Sequence, residues 1–455
     1  GNLKLPPKLN STELTEEQGG ILEKMLSAQD YFLLWGPPGT GKTSQMLKHF
    51  AKWIFENTSE NLLLLAYTNR AVDEICEALD RLGDGIRDSY LRIGSQYSSG
   101  EQFENQLLGK KIGQVTKRAE LIQILERHRI FVSTLASLSN NLSLLKLKKF
   151  RRVVIDEASQ ILEPALVGLL PQFEQFILVG DHKQLPAVVV QDATASAVED
   201  EKLQSIGLHN LRNSLFERLY RRCLSQGWHW AYAHLSHQGR MHRDIMHFPN
   251  VHFYEGKLKI LPENIPAALR QQQELALQVI DFQFDWEQVV GRKRLVFLST
   301  EIDPESPSRK TNRHEAALVA ALVRFFQKSH RAENGSPTTN SPTHQITKSI
   351  GIITPFRAQI AQIQEVLQRE NIDCAGLTID TVERYQGGAR DVILISLCTN
   401  AAAQLDALIS LSEEGVDRKL NVALTRAREH VVILGNEGLL AGNEVYRKLI
   451  EHCKG

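Results

Sequence analysis

The chain has 455 residues, about two to three times a typical domain, so two compact units or one unit with large insertions are expected. Its composition is that of an ordinary globular protein, 42% apolar and 23% charged, and 53 Lys and Arg balance 53 Asp and Glu. No overall field draws such a chain to a polyanion or a membrane, so any phosphate or nucleic-acid site has to be a local patch. Cys76, Cys223, Cys374, Cys398 and Cys453 are scattered and form no C-x-x-C pair. That argues against a disulfide framework, a zinc site or a cluster-binding module, and suits a reducing, cytoplasmic or nuclear setting. No apolar run approaches bilayer length, and the opening GNLKLPPKLN has no signal-peptide core. The absent initiator Met leads us to expect a native chain that extends further N-terminally.

Along the chain, short apolar runs alternate with helical patterns. The first series is YFLLWG (31–36), NLLLLAYT (61–68), RIFVST (129–134), RRVVIDEA (151–158) and QFILVGD (175–181). Residues 95–128 carry few β-branched residues and predict a helical insertion. A second series follows at RLVFLST (294–300), SIGIITPF (349–356), GLTIDTV (376–382), DVILISL (391–397) and HVVILGN (430–436). This alternation predicts the α/β class, with two mostly parallel sheets covered by helices. The boundary is placed near residue 190, giving units 1–190 and 191–455. Residues 331–347, rich in Ser, Thr and Pro, read as a surface loop.

The stretch GPPGTGKT (36–43) matches G-x-x-x-x-G-K-[ST] in full, after a strand and before the amphipathic SQMLKHFAKWIF. In such a loop, formed here by Gly36, Pro37, Pro38, Gly39, Thr40, Gly41, Lys42, Thr43 and Ser44, the glycines let the backbone amides wrap the phosphates. Lys42 reaches the β and γ oxygens and the Thr43 hydroxyl serves Mg²⁺. A P-loop nucleoside triphosphatase also needs a carboxylate at a neighbouring strand end to hold Mg²⁺, and a second group to orient or deprotonate the attacking water. In VVIDEASQ (153–160), Asp156 fits the first role and Glu157 the second.

The further motifs resemble superfamily 1 helicases, in the subgroup of the nonsense-mediated-decay RNA helicase and the replication nuclease-helicase. The matching stretches are LTEEQ (14–18), GPPGTGKT, AYTNRAVDEI (66–75), FVSTLASL (131–138), VVIDEASQ, LVGDHKQLPAVV (178–189) and SLFERL (214–219). They continue with HQGRMHRDIMHFP (237–249), IGIITPFRAQI (350–360), TIDTVERYQGGARDVILIS (378–396) and LNVALTRARE (420–429). The resemblance implies two RecA-like P-loop domains with ATP in the cleft between them and a single strand lying across both. It implies that Gln18 reads adenine, Gln184 senses the γ-phosphate, and Arg240 and Arg426 act as arginine fingers. It also assigns strand contacts near Thr68, Asn69, Ser133, Thr134, Thr354 and Thr381, whose plainer reading is as strand-end hydroxyls or helix caps. The implied activity is an ATP- and Mg²⁺-dependent helicase moving 5′ to 3′ on a single strand, with DNA favoured over RNA, acting as a monomer. Two alternatives stay open: an ATP-switched clamp without processive unwinding, and an RNA helicase of the same subgroup. In that subgroup an accessory or nuclease domain precedes the core, and none fits in the first 13 residues.

Two positions depart from the family pattern: Gly239 stands where an aromatic residue usually follows Gln238, and Ala389 stands where a Glu is usual. By the resemblance, Gly239 lacks the ring that would stack on the adenine, so another side chain stacks there or base discrimination is weakened. Ala389 lacks the Glu that helps link ribose contacts with the strand-binding surface, so weaker stimulation by nucleic acid is expected. The histidines of 228–253 invite a metal reading, but from His237 onward they recur every five residues, about 140° around a helix, which does not align ligands. The basic run KLKKFRR (146–152) reads as a solvated loop entering a strand, with a phosphate contact as the alternative.

Overall fold

The computed structural model describes residues 12–270, 273, 283–306, 308–333, 348–385, 388–412 and 414–455. Every apolar run of the two series forms a strand. In the first unit these are β1 (Tyr31–Trp35), β2 (Leu62–Ala66), β4 (Ile130–Thr134), β5 (Arg152–Ile155) and β6 (Gln175–Gly180). Two more strands escaped the sequence reading, β3 (Tyr90–Ile93) and β7 (Tyr232–His234). The seven pair in the order β3-β4-β2-β5-β6-β1-β7, all parallel. Strand β2 is buried throughout, as expected of a parallel sheet covered on both faces. Helices Glu16–Ser27, Lys48–Asn57 and Asn69–Asp80 send Leu22, Met25, Phe50, Ile54, Val72 and Ile75 into the core beside it.

A short two-stranded pair, β8 (His237–Gln238) and β9 (Lys259–Ile260), follows in sequence. The second sheet comprises β10 (Leu295–Ser299), β11 (Ile350–Ile353), β12 (Leu377–Asp380), β13 (Arg390–Ser396) and β14 (Ala427–Gly435), ordered β10-β14-β13-β11-β12 and parallel throughout. Helices Arg313–Glu333 and Arg357–Arg369 contribute Val319, Val323, Ile363 and Leu367 to its separate core. The chain thus has the two α/β units expected, each a parallel sheet covered by helices.

The division falls later than residue 190. The first unit runs up to His237 and takes in Leu261–Pro266, and the second comprises Gln238–Ile260 and Ala267 onward. The physical reason is β7, which pairs with β1 through Leu33↔Tyr232 and Trp35↔His234 and so holds the chain in the first sheet for some forty residues more. The insertion is helical, with short turns at Gln96–Ser98 and Glu101–Gln106 and helices Leu108–Ile112 and Arg118–Arg127. Most of the expected loop at 331–347 lies outside the described residues.

The basic run before β5 is divided: Lys146, Lys149 and Arg151 are exposed, as a solvated loop would have them, whereas Lys148 and Arg152 are buried. Arg152 is buried and donates to Glu60 Oε2 (2.8 Å) and the Leu26 carbonyl (3.1 Å). Arg151 pairs with Glu174 and Glu60, and buried Lys148 donates to the Leu125 carbonyl at 2.6 Å. Here cations staple a strand entry to its neighbours.

Candidate functional site

Because every strand of the first sheet is parallel, all carboxyl ends share one edge, the usual ligand edge of such folds. The loop after β1 is shaped by glycine where glycine is needed. A Cβ on Gly36 would lie 2.7 Å from Lys42 Cδ, and Gly41 takes φ +79°, a left-handed value that favours glycine. Helix formation starts at Lys42 with a wide turn in which Met46 N–H reaches the Gly41 carbonyl five residues back, at 2.9 Å. Lys42 Nζ donates to the carbonyls of Gly36 and Pro37, the latter at 3.2 Å. The lysine therefore lies along the loop.

Gln18 caps its own helix and also grips this loop. Its Oε1 accepts from Thr15 N–H (3.0 Å), its backbone N–H donates to Thr15 Oγ1 (3.1 Å), and its Nε2 donates to the Thr40 carbonyl (3.2 Å). A carboxamide has two donors and two acceptor lone pairs, so these bonds still leave capacity for a base edge.

Asp156, just past β5, is 3% exposed. Its Oδ2 accepts the Thr43 hydroxyl at 2.6 Å and its Oδ1 accepts Glu157 N–H at 2.8 Å. Burial pushes its carboxyl above the ordinary range, against the Thr43 bond and the Lys42 charge, which both favour the anion. A buried oxygen pair joining a Gly-rich phosphate loop to a strand-end carboxylate is the donor set that suits a hard divalent cation such as Mg²⁺. Glu157 itself adopts φ +54°, a left-handed backbone uncommon outside glycine, and its Oε2 accepts the Thr68 hydroxyl at 3.1 Å.

Beyond β6, Asp181 is a residue whose role sequence reasoning missed. It is 2% exposed and accepts from Trp35 Nε1 (2.8 Å), Lys183 N–H (3.0 Å) and Gln184 Nε2 (2.9 Å). It thereby fixes the amide of Gln184 and ties the GDHKQLP segment to the strand that precedes the phosphate loop. The signal was an acid next to the last glycine of a buried strand, where a lone carboxylate has to find donors.

The expected strand contacts are treated unevenly. Asn69 is exposed and Thr68 is half-buried at the start of helix Asn69–Asp80, where Thr68 Oγ1 accepts Ala71 N–H at 3.1 Å. Ser133, Thr134 and Thr381 are buried; Ser133 donates to the Thr134 carbonyl (2.9 Å) and Thr134 caps the helix Leu135–Ser139. Thr354 is wholly buried, with an unpartnered hydroxyl, and lines a ≈ 30 Å³ cavity with Pro355, Val382 and Leu397. Burial withholds these four hydroxyls from the surface. In the second unit the two expected arginines come together: Arg240 Nη1 donates to the Thr425 carbonyl (3.4 Å), immediately before buried Arg426. Gln386 and Gly387 of YQGGARD lie outside the described residues.

The histidines serve locally. His234 Nε2 contacts the Tyr220 hydroxyl at 2.9 Å, and His242 Nδ1 accepts Asp244 N–H at 3.2 Å. Among the described residues no helix is long and apolar enough to cross a membrane.

Residues 211–438 match an AAA domain family, and residues 13–119 and 95–192 match a second family of the same description. The chain belongs to the AAA domain family. Relatives include the DNA replication ATP-dependent helicase/nuclease JHS1 of Arabidopsis thaliana, 28% identical over 447 residues, covering 97% of this chain and 30% of that protein. The regulator of nonsense transcripts 1 homolog of Neurospora crassa is 28% identical over 482 residues, covering 97% of this chain and 39% of its own. The DNA polymerase alpha-associated DNA helicase A of Saccharomyces cerevisiae is 26% identical over 513 residues, covering 99% and 68%. These relatives bear out the resemblance to superfamily 1 helicases read from the motifs. The AAA chain described here spans less than two thirds of the length of the first two.

Proposed function

We propose that this AAA chain is an ATP-dependent, Mg²⁺-requiring helicase or translocase acting on single-stranded nucleic acid, with DNA favoured and 5′ to 3′ movement. The observation that carries the reading is the 2.6 Å bond between Thr43 of the phosphate loop and buried Asp156. It joins the two parts that every P-loop phosphoryl-transfer site requires. The loop amides bind the phosphates, Lys42 supplies charge to them, and Glu157 accepts the proton of the attacking water. Thr43 and Asp156 would hold Mg²⁺, which would supply positive charge to neutralise the phosphates. Gln184, oriented by Asp181, is the proposed γ-phosphate sensor, and Arg240 and Arg426 are carried over as arginine fingers on the resemblance. DNA is favoured because two of the three relatives above are named for DNA replication or DNA helicase activity.

A second reading, an ATP-switched clamp, is favoured by the burial of Ser133, Thr134, Thr354 and Thr381, which leaves few side chains to grip a moving strand. Strand displacement on duplexes with 5′ or 3′ overhangs separates the two. A motor displaces the 5′-overhang substrate in an ATP-dependent way, whereas a clamp hydrolyses ATP and displaces neither.

A further inference from the structure

The second unit keeps a buried hydroxyl that its own fold does not satisfy. Thr354 is wholly buried, its Oγ1 has no hydrogen-bond partner among the described residues, and it lines the ≈ 30 Å³ cavity. We propose that this cavity binds a neutral small molecule with an apolar body and one hydrogen-bonding atom, and that its occupancy restrains the helix leading to Arg426. The site itself goes beyond the proposed function, and only its effect on rate rests on that reading.

Sheet topology builds the cavity. Strands β13, β11 and β12 are parallel neighbours, so Leu397, Thr354 and Val382, which follow them, meet at one edge. Helix Arg418–Thr425 closes the space with Leu420 and Ala423, three residues apart and therefore on one face, and Leu408 and Tyr446 complete the apolar wall. A buried hydroxyl left unpaired costs stability, and water is a poor remedy here. The volume holds about two water molecules, but a buried water needs about two to four polar partners, and these walls offer little beyond Thr354. A hydrocarbon body gains from the walls, and a single polar atom gains from the hydroxyl. The other polar side chains of the lining, Glu383 and Lys419, pair with each other at 2.9 Å. Glu383 is exposed and Lys419 half-buried, so the pair marks the open side and presents no net charge, which favours a neutral occupant. The helix that forms one wall ends at Thr425, directly before Arg426, the proposed finger. A molecule wedged between that helix and the three strand ends favours this one arrangement of the helix, and so slows a cycle in which the arginine has to move.

The test follows the methyl groups of Ile353, Val382, Ile395, Leu397 and Leu420 by NMR while isopropanol, tert-butanol or cyclopentanol is titrated into the wild type, Thr354→Val and Leu408→Phe. At least one alcohol should shift these methyls saturably, with a Kd on the order of millimolar for so small a ligand. Thr354→Val keeps the shape and removes the hydroxyl, so it should weaken binding about five- to tenfold. Leu408→Phe fills the cavity and should abolish the shifts, while the methyls of Val323 and Leu367 in the separate core keep their positions and report an intact fold. In steady-state ATP hydrolysis with oligo(dT), a saturating alcohol should lower the wild-type rate severalfold and leave the Leu408→Phe rate unchanged. Shifts that grow linearly and spread over the whole surface overturn the site, as does an affinity untouched by Thr354→Val. Saturable shifts with no loss of rate, or an equal loss in Leu408→Phe, overturn the restraint on the helix. A wild-type rate that oligo(dT) does not raise overturns the strand-dependent reading, and the titration still decides the site.

Discussion

Asp156→Asn should separate stability from catalysis at one atom. In the folded chain the carboxylate is 3% exposed and receives two hydrogen bonds, from Thr43 Oγ1 at 2.6 Å and from Glu157 N–H at 2.8 Å. An Asn of the same shape keeps an oxygen for Glu157 N–H and presents its amide to the Thr43 oxygen, so two links survive without charge assistance. The loss is about 1 kcal/mol per bond, the difference between a charged and a neutral acceptor. Against it stands the cost of burying the anion, several kcal/mol per ion even after relaxation. The balance favours Asn by about zero to a few kcal/mol, and at roughly 2–4 °C per kcal/mol for a unit of this size Tm should hold or rise by several degrees. Hydrolysis should fall by at least about 100-fold, the scale of losing a metal-positioning charge at the transferring group. The assay is thermal unfolding in EDTA without nucleotide, beside steady-state ATPase with Mg²⁺. A drop of several degrees in Tm would refute the reasoning, because it would make the carboxylate a structural staple rather than a functional group held at a cost.

Glu163→Ala removes the partner of Arg218, a fork of two bonds at 2.7 and 2.5 Å between side chains only 11% and 5% exposed. Urea unfolding should show a loss of about 3–5 kcal/mol, largely recovered when Arg218→Met is added. Gly351→Ala should cost about 1–3 kcal/mol, since a Cβ there overlaps the Tyr385 hydroxyl and lies 2.9 Å from Ile393 Cδ1. Adding Tyr385→Ala should shrink that cost in the same unfolding assay. Glu315 is fully buried, which pushes its pKa from 4.5 up to about 7, against the hydrogen bonds from Ser396, Cys398, Thr399 and Thr300 that favour its anion. Between pH 4.5 and 7 the folded state alone keeps the proton, so this group makes stability fall as pH rises through that window, by about 3 kcal/mol in all. The stability of wild type relative to Glu315→Gln, from urea titrations at pH 5, 6, 7 and 8, should fall up to pH 7 and then level off. A difference independent of pH contradicts it.

What the sequence revealed and what it concealed follow one physical division. The buried parallel strands were legible because both faces are apolar and the run stands out, as in Leu62–Ala66 and Val153–Ile155. The glycine-rich loop was legible because the spacing of that motif is dictated by the phosphates such loops bind. Strand β3 was not, because buried Arg92 interrupts its apolar run; the arginine pairs with Asp73 and lies over the Phe103 ring at 5.9 Å. Strand β7, three residues within an aromatic and histidine-rich stretch, gave no apolar run, so the boundary was placed too early. Within the site, the roles proposed for Thr43, Asp156 and Glu157 follow from residue type and position. Their mutual bonds, and the hold of Asp181 on Gln184, depend on which strands lie side by side, and that order is a property of topology that no local motif carries.

The most direct test of the central claim is the steady-state ATPase rate with Mg²⁺ alone, with single-stranded DNA and with single-stranded RNA, for the wild type, Lys42→Ala and Arg426→Ala. The account predicts strong stimulation by a single strand, greater with DNA, and loss of that rate in both variants. A wild-type rate indifferent to either polymer would contradict it.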